Sequence, residues 1–156
     1  MIFDRTQEDV DAAISLRNKK VKEFENLTNE EINTLERGTI TINTLNRIEN
    51  KQAEISELLS QLSINVEIEN KNWEETQIFN RAEFQRILDN LNVLVKSFCV
   101  YSNTPDVPEI SYHYDDINAI EKVLFDLEEL HNKALKSFIY CGITHCGMEL
   151  NYGVQR

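Results

Sequence analysis

The residues best suited to chemistry lie near the carboxyl end, in Cys141-x3-His145-Cys146. Thiolate and imidazole together are zinc-type ligands, and a fourth would have to come from Cys99, His113 or His131. The spacing is not that of a Cys-x2-Cys knuckle, and adjacent His145 and Cys146 would point to opposite faces of a strand. The expectation for Cys141 and Cys146 is therefore small thiols packing as Ser or Ala do. A Cys–His nucleophilic pair fails on the same adjacency, with no third group to orient the base. His131 falls near the apolar side of its helix, where a surface or satisfied interface histidine is commoner than a catalytic one.

Carboxylates are abundant but are expected to lie on helix faces, with Glu30-Glu31, Glu74-Glu75, Asp115-Asp116 and Glu128-Glu129 as the adjacent pairs. Neighbours on a helix do not face each other, so these are not ready-made acid/base dyads. No His-Glu-x-x-His, P-loop or Gly-x-Gly-x-x-Gly pattern occurs. The expectation is a non-enzyme with no cofactor and no metal.

The net charge of −11 argues against binding nucleic acid through its phosphates. The densest basic run, Lys19-Lys20-Val21-Lys22, is set among acidic residues and reads as a solvated helix face. Met1-Ile2-Phe3 is followed at once by Asp4 and Arg5, without the apolar stretch of a signal peptide, and no apolar run is long enough to span a bilayer. A cytoplasmic protein with three free thiols is expected.

With 156 residues, 41% of them hydrophobic, and only four Gly and two Pro, the chain fits a mainly α fold. The expected architecture is a helical bundle of long amphipathic helices with a short β segment or hairpin at the carboxyl end. Thr6 and Asp9 mark a first helix ending near Glu25 or Asn26. Thr28 and Glu31 form a capping box with Leu27 and Ile32 at staple positions, and Gly38 reads as a left-handed stop. Thr41 caps a helix whose seam is Leu45, Ile48, Gln52, Ile55, Leu59 and Leu62. Gln52 either fixes register or, as favoured here, sits at a bundle edge facing water. Ile64, Val66 and Ile68 alternate with polar residues, as in a short half-exposed strand.

Asn80 with Glu83, and Phe79 with Phe84, start a wide apolar stripe running to Phe98. Both prolines fall in the connector Thr104–Glu109, after which a long helix begins near Tyr114 or Asp115. The division expected is a helical unit at 1–62, a connector at 63–79, a helical hairpin joined by a Pro-containing loop at 80–138, and a short β tail at 139–156.

Interfaces are expected along the Leu45 to Leu62 seam, at the connector aromatics Trp73, Tyr101, Tyr112 and Tyr114, and at Tyr140 in the glycine-containing tail. Aromatics with a polar handle suit interfaces, although they also cover bundle ends.

Three stretches occur in a recognisable order: Asp4-Arg5-Thr6-x2-Asp9-Val10, Thr44-Leu45-Asn46-Arg47-Ile48-Glu49, and Thr104-Pro105-x2-Pro108-Glu109 followed by Asn118-Ala119-Ile120-Glu121-Lys122-Val123-Leu124. In this order the chain resembles a family of small proteins from phage and prophage tail modules of Firmicutes. Tyr140-Cys141-Gly142 and Cys146-Gly147 echo that family's carboxyl end, with Cys where Ser is expected. The resemblance implies a structural component of a bacteriophage tail or baseplate, or a tail-to-fibre adaptor. It would assemble with other tail proteins as a homo-oligomer, first in the host cytoplasm and then in the virion. The alternative is a transient helical chaperone or regulatory binding protein of a phage, its acidic surface suited to a basic partner.

Overall fold

The computed structural model describes residues 1–20, 27–110 and 113–144, with backbone alone for 138–144. Its helices are α1 (Gln7–Lys20), α2 (Asn29–Gly38), α3 (Ile42–Gln61), α4 (Arg81–Ser97) and α5 (Tyr114–Thr144). Among the described residues there is no strand. The mainly α expectation is met, and the β tail is corrected for residues 139–144, which continue α5. Once a helix exists, each added residue brings one hydrogen bond, and a single glycine costs only about 1 kcal/mol. Gly142 therefore does not stop this 31-residue helix. Residues 145–156 of the expected tail, and 21–26 at the expected end of the first helix, lie outside the described residues.

Local chemistry sets the helix starts. The Thr28 hydroxyl accepts from the Glu31 amide while the Glu31 carboxylate accepts from the Thr28 amide, closing the capping box. Thr41 accepts from the Thr44 amide at 3.2 Å, and Asn80 from the amides of Ala82 and Glu83 at 2.9 and 3.1 Å. Phe79 and Phe84 meet edge to face at 5.6 Å, as a staple requires. Gly38 corrects the left-handed expectation: its φ is not positive, and Thr39 caps α2 in an extended conformation. Glycine is needed there because α1 passes so close that a Cβ would stand 2.2 Å from the Asp9 carbonyl oxygen. The left-handed residue is Ser63, with φ 61°, at the end of α3. The Ile64 amide reaches the Leu59 carbonyl and the Ser63 amide that of Ser60, a Schellman closure.

Helices α3, α4 and α5 pack on one another around a single core cluster. Its members include Leu45, Ile48, Ile55 and Leu59 of α3, the α4 stripe from Phe84 to Leu94, and the α5 stripe from Ile117 to Leu127. Burying each such side chain contributes about 1.5–3 kcal/mol. Helices α1 and α2 pack chiefly on each other, burying only Ala13 between them. Ion pairs hold this hairpin: Lys20 to Glu31 at 2.8 Å and Arg37 to Asp9 at 2.9 Å. The Arg37 guanidinium and the Thr6 amide hold the Asp9 carboxyl down at about 2. The Lys20 ammonium and the Thr28 amide do the same for Glu31, also to about 2.

Residues 63–79 alternate as the sequence suggested, with Ile64, Val66 and Ile68 packed against the core and Asn65, Glu67 and Glu69 exposed. They remain extended without becoming a strand because side chains, not a neighbouring strand, bond their backbone. Asn90 of α4 accepts from the Glu69 amide at 3.2 Å and donates to its carbonyl at 2.8 Å. Asn46 of α3 does the same for Trp73, at 2.7 and 3.1 Å. Asn118 of α5 grips Arg5 likewise, at 3.1 and 2.9 Å. In each of the three cases one carboxamide satisfies both main-chain groups of one residue.

Candidate functional site

The expected α3 seam is closed within the chain. Leu45, Ile48, Ile55 and Leu59 are buried in the core cluster shared with α4 and α5, and Leu62 is half-buried at the end of α3. Gln52, expected to face water, is fully buried. Its amide donates to the Ile87 carbonyl at 2.8 Å and accepts from Asn90 at 3.4 Å, so a main-chain group of α4 provides what water was expected to provide. Trp73 is likewise a core residue, 3% exposed, with its indole N–H on Glu49 at 3.0 Å and the Lys71 ammonium 4.1 Å from its ring. Tyr101 is half-buried and its hydroxyl accepts from Lys133 at 2.6 Å. Tyr114 is half-buried at the start of α5, its ring tilted against that of His113 at 4.2 Å. Tyr112, His145 and Cys146 lie outside the described residues, as do the side chains of Tyr140 and Cys141. Cys99 is an exposed free thiol.

What the sequence did not single out is a set of buried carboxylates that tie extended segments to helices. Glu121 of α5 is fully buried and accepts from Arg5 at 3.3 Å, from Arg47 of α3 at 2.7 Å, and from the Ile2 amide. Glu49 of α3 pairs with Arg86 of α4, with the Trp73 indole, and with the Lys71 amide at 3.1 Å. Asp126 of α5 accepts from Thr104 in the proline connector at 2.7 Å and pairs with Lys122. Asp116 accepts from the His113 amide at 3.1 Å at the start of α5. These four are all the buried carboxylates among the described residues. A buried carboxylate is tolerated only when paired and hydrogen-bonded, and each donor here is a structural one. The signal was present: Glu49 lies between Leu45 and Gln52, and Glu121 between Ile117 and Leu124, each at core spacing on its helix.

His131 differs from these. It is fully buried on α5, and neither ring nitrogen has a hydrogen-bond partner among the described residues.

The outer surface offers two kinds of feature. A cleft of about 320 Å³ lies where α1, the α2–α3 link and the start of α5 meet, lined by Val10, Ile40, Ile117, Tyr114, Arg37 and His113 among others. Arg37 is already engaged there by Asp9 and Asp4. Scattered apolar residues are also exposed: Ile78, Ile14, Val93, Val100, and the pair Phe3 and Phe125, whose rings lie 5.4 Å apart with Lys122 nearby. Among the described residues no three His, Cys, Asp or Glu side chains gather as a cation site, and no helix is long and apolar enough to cross a membrane. Compared with protein-family models, with curated proteins and with solved structures, the chain matches none of them.

Proposed function

We propose that the chain is a structural component of a bacteriophage tail or baseplate, or an adaptor between tail and fibre, acting by assembly with other tail proteins and without turnover. One observation carries the reading. The three stretches on which the resemblance to phage tail-module proteins rests converge on a single bonded cluster. Arg5 comes from the first, Arg47 from the second, and Asn118 and Glu121 from the third. Residues more than 110 positions apart in the chain thus serve one structural purpose, which gives the three stretches a common role within this fold.

The same chemistry favours a scaffold. Glu121, Glu49 and Asp126 each hold an extended segment against the bundle, which suits a protein that must present one fixed surface to its neighbours. With the α3 seam closed, assembly falls to the outer faces. The test is the composition of purified particles. In a lysate that assembles tails, the chain is expected to co-purify with intact particles at fixed copy number, read by quantitative mass spectrometry. A chain abundant in the lysate and absent from particles would replace this reading with the transient chaperone.

A further inference from the structure

Helix α1 carries a charge sequence that is antisymmetric about its middle residue. Glu8, Asp9 and Asp11 precede Ile14 by six, five and three positions, and Arg17, Lys19 and Lys20 follow it by three, five and six. Each acid therefore has a base at the mirror position. Asp9 and Lys20 are turned toward α2, where they pair with Arg37 and Glu31. Ala13 is on that side as well, buried against Gly38. At about 100° per residue, Ile14 points some 100–140° away from these three. Asp11 and Arg17 flank it within about 60° on either side. On this outward face Ile14 is 50% exposed and Asp11 and Arg17 are exposed. Asp11 accepts only from Gln7, and Arg17 forms no ion pair among the described residues. The helix dipole favours acids first and bases last on any helix. It gives no reason for an apolar β-branched side chain to stand half in water between them.

We propose that this face of α1 binds α1 of a second copy of the chain, antiparallel, about a two-fold axis through Ile14. A two-fold interface must be complementary to itself. Antiparallel pairing centred on Ile14 sets Asp11 at the height of the partner's Arg17 and Arg17 at the height of the partner's Asp11. Two Ile14 side chains meeting head-on hold the helix axes about 12 Å apart, wider than the common spacing of about 8–10 Å, and these Cβ atoms are then about 10 Å apart, still within reach of an extended arginine. Parallel pairing would oppose like charges at every position. The two Ile14 side chains meet at the centre and leave water together. This contact is independent of the tail reading: a free protein would make it as readily as a virion component. A single helix pair is smaller than a standard interface, so the dimer is a weak one, with a dissociation constant of about 10–100 μM.

Charge exchange tests it. Asp11→Arg turns both cross pairs into Arg opposite Arg, and Arg17→Asp turns both into Asp opposite Asp. Each variant, with unchanged far-UV circular dichroism, is expected to weaken its own dimer about 10-fold or more at ~0.1 M salt, measured by sedimentation velocity. Mixed in equal amounts, the two variants regain opposite charges at all positions and are expected to form a mixed dimer, identified by native mass spectrometry. Misfolding would give no such rescue. A natural chain that stays monomeric to about 500 μM would overturn the proposal. So would single variants that dimerise as the natural chain does, or a mixture that stays monomeric.

Discussion

Glu121 and His131 are both buried polar side chains on α5, one paired and one without a partner among the described residues. Removing the Glu121 carboxylate would leave Arg5, 5% exposed, as an uncompensated interior charge and free the Ile2 amide. Glu121→Ala is therefore expected to cost about 3–5 kcal/mol, read from the shift of the urea midpoint. His131 works in the opposite direction. Its two ring nitrogens are buried with no hydrogen-bond partner among the described residues. His131→Leu, of similar bulk, is expected to raise stability by about 1–2 kcal/mol in the same assay. An unchanged or lower midpoint would mean that the imidazole is satisfied in solution by a bound water.

At the scale of elements, the extended segments depend on carboxamides that imitate a neighbouring strand. Asn46→Asp keeps the acceptor for the Trp73 amide but sets a carboxylate oxygen against the Trp73 carbonyl. The expected loss is about 1–3 kcal/mol, with faster amide exchange along 63–79 as the local sign. The α1–α2 hairpin depends on charge instead. Asp9 and Glu31 both have folded pKa values of about 2, below their ordinary 3.8 and 4.5. A lowered folded value stabilises above the ordinary pKa and is lost as pH falls toward the folded one. The hairpin is therefore expected to loosen between about pH 4.5 and pH 2, seen as amide exchange in α1 and α2 rising ahead of that in α3 to α5.

For the whole molecule, a hairpin with one buried residue and a three-helix core with a common cluster should not unfold together. Trp73 is the sole tryptophan and lies in the core. In rising urea, far-UV circular dichroism is expected to begin falling before Trp73 fluorescence changes, and a single coincident transition would contradict this. The same division explains what could be read from the sequence. The starts at Thr28, Thr41 and Asn80 were legible because a cap is made by residues three apart. The α3 seam was legible as an apolar stripe, but the stripe carries no mark of whether its cover is another helix of the same chain or another chain. Gln52 was misread because its acceptor, the Ile87 carbonyl, lies 35 residues away. Gly38 was misread because a close helix crossing and a left-handed turn both call for glycine, and only the position of α1 tells them apart.

The sharing of Glu121 by Arg5 and Arg47 has a consequence for descent. Neither arginine can be exchanged without altering the charge balance that the other depends on, and a change at the carboxylate strands both. Positions 5, 47 and 121 therefore behave as one inherited character, and divergent copies of this fold would be expected to keep or abandon all three together.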